Sequence, residues 1–218
     1  MTKLLLAGAT GLVGNHVLAL LLSDDRVTQV VAPTRRPLAR HPKLLNPVAD
    51  SNELPLDAAW WAVDGGLSAL GTTRAKARSA AAFRAIDYDY ILAIAAQLRR
   101  GGATRFALTS SMGANARSRF LYPRTKGEVE EAIGRLGFPS LTIVRPGFLG
   151  GYRKEARSME RIVGGLLRMT APILPAAARI SPASTVAALL VEAAINGHNG
   201  THLIGSAEIT RAATRGQP

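Results

Sequence analysis

The sequence contains no cysteine. Disulfides and thiolate chemistry are therefore excluded, and the absence is compatible with a reducing cytosol, so a cytoplasmic protein is expected. Aromatic residues make up only 5% of the chain. Acidic residues are scarce too, with 15 Asp and Glu against 27 Lys and Arg, for a net charge of +12. That balance raises nucleic acid or an anionic membrane as partners, and the spacing argues against both. Basic residues number 6, 6, 7 and 6 in successive fifties, and never more than two adjoin. This is a broadly basic solvated surface, with no dedicated nucleic-acid surface. Long apolar runs are lacking as well. No segment approaches the roughly 18 apolar residues of a membrane span, and the apolar N-terminal stretch is too short for a signal peptide. No repeat, linker or metal site is expected.

What is present suits a globular core: 47% hydrophobic and 19% charged residues in a chain of 218. The expectation is a single domain over 1–218, with a small substrate-side portion at about 147–182. Its organising stretch is L-L-L-A-G-A-T-G-L-V-G. The run Leu4, Leu5, Leu6, Ala7 stops at Gly8, glycines follow at 11 and 14, and Val13, Val17, Leu18 and Leu21 then share one helical face. A buried strand passing through a glycine turn into a helix is the phosphate-binding start of a dinucleotide fold. Gly8 permits the turn, Gly11 admits the pyrophosphate, and Gly14 lets helix and strand pack closely. The N–H groups at the helix start face the phosphates. Gly8, Thr10, Gly11, Leu12, Val13 and Gly14 are thus candidate cofactor residues.

Thr28–Ala32 reads as the second strand and ends in Pro33-Thr34-Arg35-Arg36-Pro37. An Asp or Glu at that place accepts from a ribose 2′-hydroxyl, whereas arginine suits a 2′-phosphate. Arg35 and Arg36 therefore point to NADP, with NADPH preferred over NADH; Arg36 stacking on the adenine is the other reading of that residue. A weak third strand, Leu44–Val48, is interrupted by Pro47 and followed by Asp50, either an adenine contact or a turn residue. A short helix with Trp60 and Trp61 is expected within 51–64. Gly66–Leu70 forms strand four, and Leu70, Gly71 and Thr72 at its end let a cofactor lie close. Arg74, Lys76 and Arg78 read as a solvated loop.

Ala80–Arg99 has strong helical periodicity through Phe83, Ile86, Tyr90, Ile91, Ile94 and Ala95. Arg105–Thr109 and Leu141–Val144 are strands five and six, opening on Ser110-Ser111 and on Arg145-Pro146-Gly147. Ser158–Arg168 is amphipathic, its stripe from Met159 to Leu167 suited to core or lid packing or to a partner protein. Ser184–Ile195 is a helix and Thr201–Gly205 a last strand. Strands alternate with helices throughout, so the fold class is α/β, a doubly wound, mainly parallel sheet of the Rossmann type. Ligands in such sheets bind beyond the carboxyl ends of the strands. The glycine turn, Arg35, Gly71, Ser110, Ser111, Pro146 and Gly147 all follow strands and are expected at one edge.

Tyr122 and Lys126 are one helical turn apart. Pro123 favours the first helical position, which makes Tyr122 the cap of that helix with Lys126 one turn in. An ammonium near a phenol stabilises the phenolate, which suits the pair to proton exchange.

Together with L-G-T-T-R, F-R-A-I-D-Y-D-Y, S-S-M-G-A-N, F-L-Y-P-R-T-K-G-E-V-E and R-P-G, these features resemble an atypical short-chain dehydrogenase/reductase. Among such proteins the chain resembles the Tat-interacting-protein-like oxidoreductases, and the resemblance spans essentially the whole chain. It implies hydride transfer with NADP(H) on a small carbonyl or alcohol substrate. Tyr122 would exchange the carbonyl proton and Ser111 would hydrogen-bond the oxygen, with Ser110 as the alternative serine. Lys126 would hold the nicotinamide ribose and tune the tyrosine. A non-catalytic NADP(H)-sensing protein and a sugar-nucleotide epimerase-like enzyme are the other functions compatible with these residues.

Overall fold

The run Leu4–Ala7 becomes the centre of a sheet covered on both sides. Side chains alternate along a strand; Leu4 and Leu6 enter one core, and Leu5 and Ala7 enter the other. Burial on both faces is why the run reads as continuously apolar. The computed structural model describes residues 2–49, 54–72, 77–150 and 180–215.

The strands are β1 (Thr2–Ala7), β2 (Val27–Val31), β3 (Leu44–Leu45), β4 (Gly65–Ser68), β5 (Arg105–Thr109), β6 (Ser140–Arg145), β7 (Leu149–Gly150), β8 (Ser181–Pro182) and β9 (Gly200–Gly205). Seven of them form one sheet in the order β3-β2-β1-β4-β5-β6-β9, with every pairing parallel. The chain winds outward from β1 in one direction and from β4 in the other. The reversal leaves a crevice at the carboxyl ends of β1 and β4, where such folds bind ligands. β7 and β8 form a separate parallel pair that the sequence reading did not anticipate.

The helices are α1 (Leu12–Ser23), α2 (Ala80–Arg84), α3 (Tyr90–Arg100), α4 (Leu121–Gly134), α5 (Ala183–Asn196) and α6 (Ser206–Arg215). Val13, Val17 and Leu21 of α1 join Val186 and Leu190 of α5 in the core on one face. Ile91 and Leu98 of α3 join Val129 and Ile133 of α4 on the other. None of the helices among the described residues is long and apolar enough to cross a membrane.

Several local expectations are corrected. The continuous helix expected over 80–99 is interrupted by a π-helical turn, Ala85–Asp89, between α2 and α3. Strand three shrinks to Leu44–Leu45, although a parallel bridge between Thr34 and Val48 carries the pairing past Pro47. The helix expected within 51–64 is one 3₁₀ turn, Ala59–Trp61, with Trp61 buried and its indole N–H donating to the Pro55 carbonyl at 2.7 Å. Tyr122 does not cap its helix. Phe120 is the N-cap, its carbonyl accepting from Arg124 N at 3.1 Å, so Tyr122 already lies within α4. Pro123 is tolerated because first-turn N–H groups lack intrahelical acceptors anyway. α6 was not anticipated. Asp50, Arg74, Lys76, the stripe from Met159 to Leu167 and most of 147–182 lie outside the described residues.

Candidate functional site

The turn after β1 is built around two glycines that nothing larger replaces. Gly8 sits at φ +87°, and a Cβ there would meet the Ala69 backbone at 2.8 Å. A Cβ on Gly14 would fall 2.0 Å from the Gly8 carbonyl oxygen, so α1 packs directly on the turn. Gly14→Ala is expected to cost about 1–3 kcal/mol, the usual scale of overpacking, read as a lowered denaturant midpoint. Gly11 is the exposed N-cap; it donates to Gly8 O at 3.0 Å and accepts from Asn15 N at 2.9 Å. The N–H groups of Leu12, Val13 and Gly14 then have no intrahelical acceptor, and no acidic side chain occupies this first turn. Thr10 is exposed beside it. These donors suit an anionic diphosphate.

Arg35 and Arg36 are exposed on the loop after β2. That loop is held by Asn46, which the sequence reading missed. Asn46 Nδ2 donates to Ala32 O at 2.6 Å and to Thr34 Oγ1 at 2.8 Å, and its Oδ1 accepts from Leu38 N at 2.8 Å. Thr34 Oγ1 in turn donates to Arg36 O at 2.6 Å. Between this loop and the glycine turn runs a cleft lined by Ala7, Gly8, Pro33, Ala49, Leu54, Leu70 and Ile94. Among the described residues its lining side chains are apolar and carry no carboxylate, and the exposed charge on the loop beside it, Arg35 and Arg36, is cationic. The residues present thus fit a dinucleotide lying along this edge of the sheet.

On the other side of the crevice, four residues meet. Asp87, fully buried in the π turn, pairs with Lys126 Nζ of α4 at 2.7 Å. Its second carboxylate oxygen accepts from Thr72 N at 2.9 Å. A Cβ on Gly71 would lie 3.7 Å from both Asp87 Oδ1 and Lys126 Nζ. The end of β4 and the middle of α4 are therefore joined through one carboxylate. Asp87 too was missed as a site residue, though a signal exists. It lies four residues after Phe83 and four before Ile91, an acid on the apolar stripe between two buried hydrophobic residues.

Tyr122 is one turn before Lys126 but 43% exposed, where Lys126 is buried; its ring packs on Phe83 with centroids 5.7 Å apart. The serine loop is fastened to the same helix. Asn115 N donates to Pro123 O at 2.9 Å, and a Cβ on Gly127 would fall 2.1 Å from Ala116 N. Ser110 and Ser111 are both buried. Ser110 Oγ has no hydrogen-bond partner among the described residues, and Ser111 Oγ donates to Met112 O at 3.4 Å. Met112 N donates to Pro146 O at 2.8 Å, which sets Pro146 and Gly147 beside this loop, and Gly147 N donates to Ser181 Oγ at 3.1 Å. Arg145, at the end of β6, is gripped by both oxygens of Glu130, and that hydrogen bonding raises its already high pKa. Arg84 is likewise paired with Glu128.

No protein-family model matches the chain. Among curated proteins, the mitochondrial protein FMP52 of Candida albicans is 40% identical over 163 residues, covering 70% of this chain and 69% of that protein. The mitochondrial protein fmp52 of Aspergillus niger is 32% identical over 225 aligned positions, covering 96% and 94%. Among solved structures, MoeE5 in complex with UDP-glucuronic acid and NAD superposes with a TM-score of 0.73 at 18% identity, covering 93% of this chain and 76% of that one. A short chain dehydrogenase family protein from Francisella tularensis gives 0.70 at 15% identity, covering 95% and 98%. These structures share the Rossmann fold with this chain. The relatives' mitochondrial names overturn the cytoplasmic expectation, since a lack of cysteine is equally compatible with other reducing compartments. By the identity and coverage of its relatives, the chain belongs to the FMP52 family.

Proposed function

We propose that the chain is an NADP(H)-dependent oxidoreductase of the atypical short-chain type, allied to the Tat-interacting-protein-like group, acting on a small carbonyl or alcohol. The observation that carries this reading is the buried Lys126–Asp87 pair at the carboxyl edge beside Gly71, with Tyr122 one turn earlier at the open end of the same helix. The glycine turn from Gly8 to Gly14 and the first N–H groups of α1 hold the diphosphate. Arg35 and Arg36 take the 2′-phosphate; Leu70, Gly71 and Thr72 lie along the cofactor, and Pro146 and Gly147 flank its nicotinamide end. When bound, NADPH supplies the hydride. Tyr122 gives its hydroxyl proton to the carbonyl oxygen, and Ser111, or Ser110 in its place, hydrogen-bonds that oxygen. Lys126 holds the ribose and stabilises the phenolate left on Tyr122. Met112, Phe120 and Phe148 are exposed on the segments joined at Met112 and Pro146, which suits an apolar substrate body.

Calorimetric titration tests the cofactor half. A charge-assisted hydrogen bond contributes about 1.5–3 kcal/mol, so NADPH is expected to bind about tenfold to a hundredfold tighter than NADH. Arg35→Ala should weaken NADPH and leave NADH nearly unchanged, and added salt should shrink the preference. Equal affinities in the wild type would make these arginines ordinary surface charge. Oxidation of NADPH against a panel of small aldehydes and ketones tests the catalytic half. Binding without turnover across the panel favours a cofactor sensor, and a co-purifying nucleotide-sugar favours epimerase chemistry.

A further inference from the structure

Lys126 is not a free cation. Its ammonium is 2.7 Å from a carboxylate that is itself fully buried, and the same carboxylate is anchored by Thr72 N. Of the other carboxylates along this part of α4, Glu130 is held by Arg145, and Glu128 is shared by Arg84 and Arg124. Neither can substitute for Asp87. The unit facing Gly71 is therefore electrically neutral, although it contains a lysine.

That neutrality matters because the two forms of the cofactor differ in charge at one end. The oxidised nicotinamide ring is a cation and the reduced ring is neutral. An uncompensated ammonium beside the ring would repel only the oxidised form. We propose that Asp87 is a specificity-determining residue for the oxidation state of the cofactor: it cancels the Lys126 charge and so lets NADP+ bind on terms comparable with NADPH. The proposal rests on the dinucleotide reading above. In this structure Asp87 acts through Lys126, so it is a positioning residue and not a catalytic one.

The signature is a pair of opposite shifts, which loss of packing would not produce. Dissociation constants for NADPH and NADP+ are measured calorimetrically, at one pH and salt, on wild type, Asp87→Asn, Asp87→Glu, Lys126→Met and the Asp87→Asn/Lys126→Met double variant. Asp87→Asn leaves the ammonium alone and is expected to disfavour NADP+ relative to NADPH by about tenfold, a modest unit-charge effect at an effective dielectric constant of about 20. Lys126→Met leaves the carboxylate alone and should shift the ratio the other way. Asp87→Glu keeps the charge and should keep the wild-type ratio even where both affinities fall. The double variant removes both buried charges together, which folds tolerate better than removing one, and should also return the wild-type ratio. Should one single variant fail to fold, the shift in the other still reads the charge effect, and its absence there overturns the proposal. Equal losses of both forms in the two single variants, or a shifted ratio in Asp87→Glu or the double, would overturn the proposal alone. A wild-type protein that binds neither form would overturn the dinucleotide reading and this inference with it.

Discussion

Tyr122→Phe is expected to lower turnover of any carbonyl substrate found by about a hundredfold to ten-thousandfold, the range a positioned proton donor contributes. NADPH affinity should stay essentially at the wild-type value. The substitution removes one hydroxyl and keeps the ring, so the packing of residue 122 on Phe83 survives. The residue is 43% exposed, so no buried polar group is left unpaired. Steady-state rates and calorimetry on the same preparation separate the two effects. Undiminished turnover would remove Tyr122 from the chemistry. A parallel loss of cofactor binding would mean that the hydroxyl holds the cofactor and not the substrate.

Asp87→Ala is expected to destabilise the fold by about 3–5 kcal/mol, the cost of stranding one partner of a buried ion pair. The loss exceeds that of the paired charges at the surface. Arg26 and Asp24, for example, form a 2.7 Å bridge, but the arginine is about half exposed and water screens it. Asp87 has no such relief, and its removal also takes away the carboxylate to which Thr72 N donates. Denaturant unfolding of Asp87→Ala beside an Asp87→Leu/Lys126→Met variant provides the check, because the double change leaves no charge behind. A single variant as stable as wild type would show that the pair contributes little net energy.

The sheet was legible in the sequence wherever burial on both faces or a glycine turn wrote it plainly. Leu4–Ala7, Arg105–Thr109 and the turn from Gly8 to Gly14 stand where their residues indicate. Elements whose pattern is local but whose partner is distant were not. β7 and β8 are two residues each and exist only through each other. α6 follows β9 directly and has three basic or acidic residues in ten, which masks its one buried hydrophobic side chain, Ile209. Of the candidate site, the sequence singles out side chains that the structure leaves exposed: Arg35, Arg36, Tyr122. The two that hold others in place were not legible. Asn46 acts on backbone atoms from another strand, and Asp87 matters only because the fold brings α4 against it. Tyr122 as a cap was inferred from Pro123 alone, yet the helix accommodates proline anywhere in its first turn.

The π turn at Ala85–Asp89 amounts to one residue more than a regular helix would use to cover the same distance. Each residue of an α-helix turns the chain by about 100°. A chain shorter by one residue here would wind as an ordinary helix from Ala80 to Arg100, with a more regular ladder. It would also rotate α2, and the Phe83 ring under Tyr122, by that angle relative to α3 and Asp87. The surplus residue therefore sets the rotation between α2, which carries the Phe83 ring, and α3, with the buried Asp87 in the turn between them. Length variation within the family is accordingly expected to fall in the loops and to spare this turn, where a single-residue deletion would improve the helix and dismantle the site.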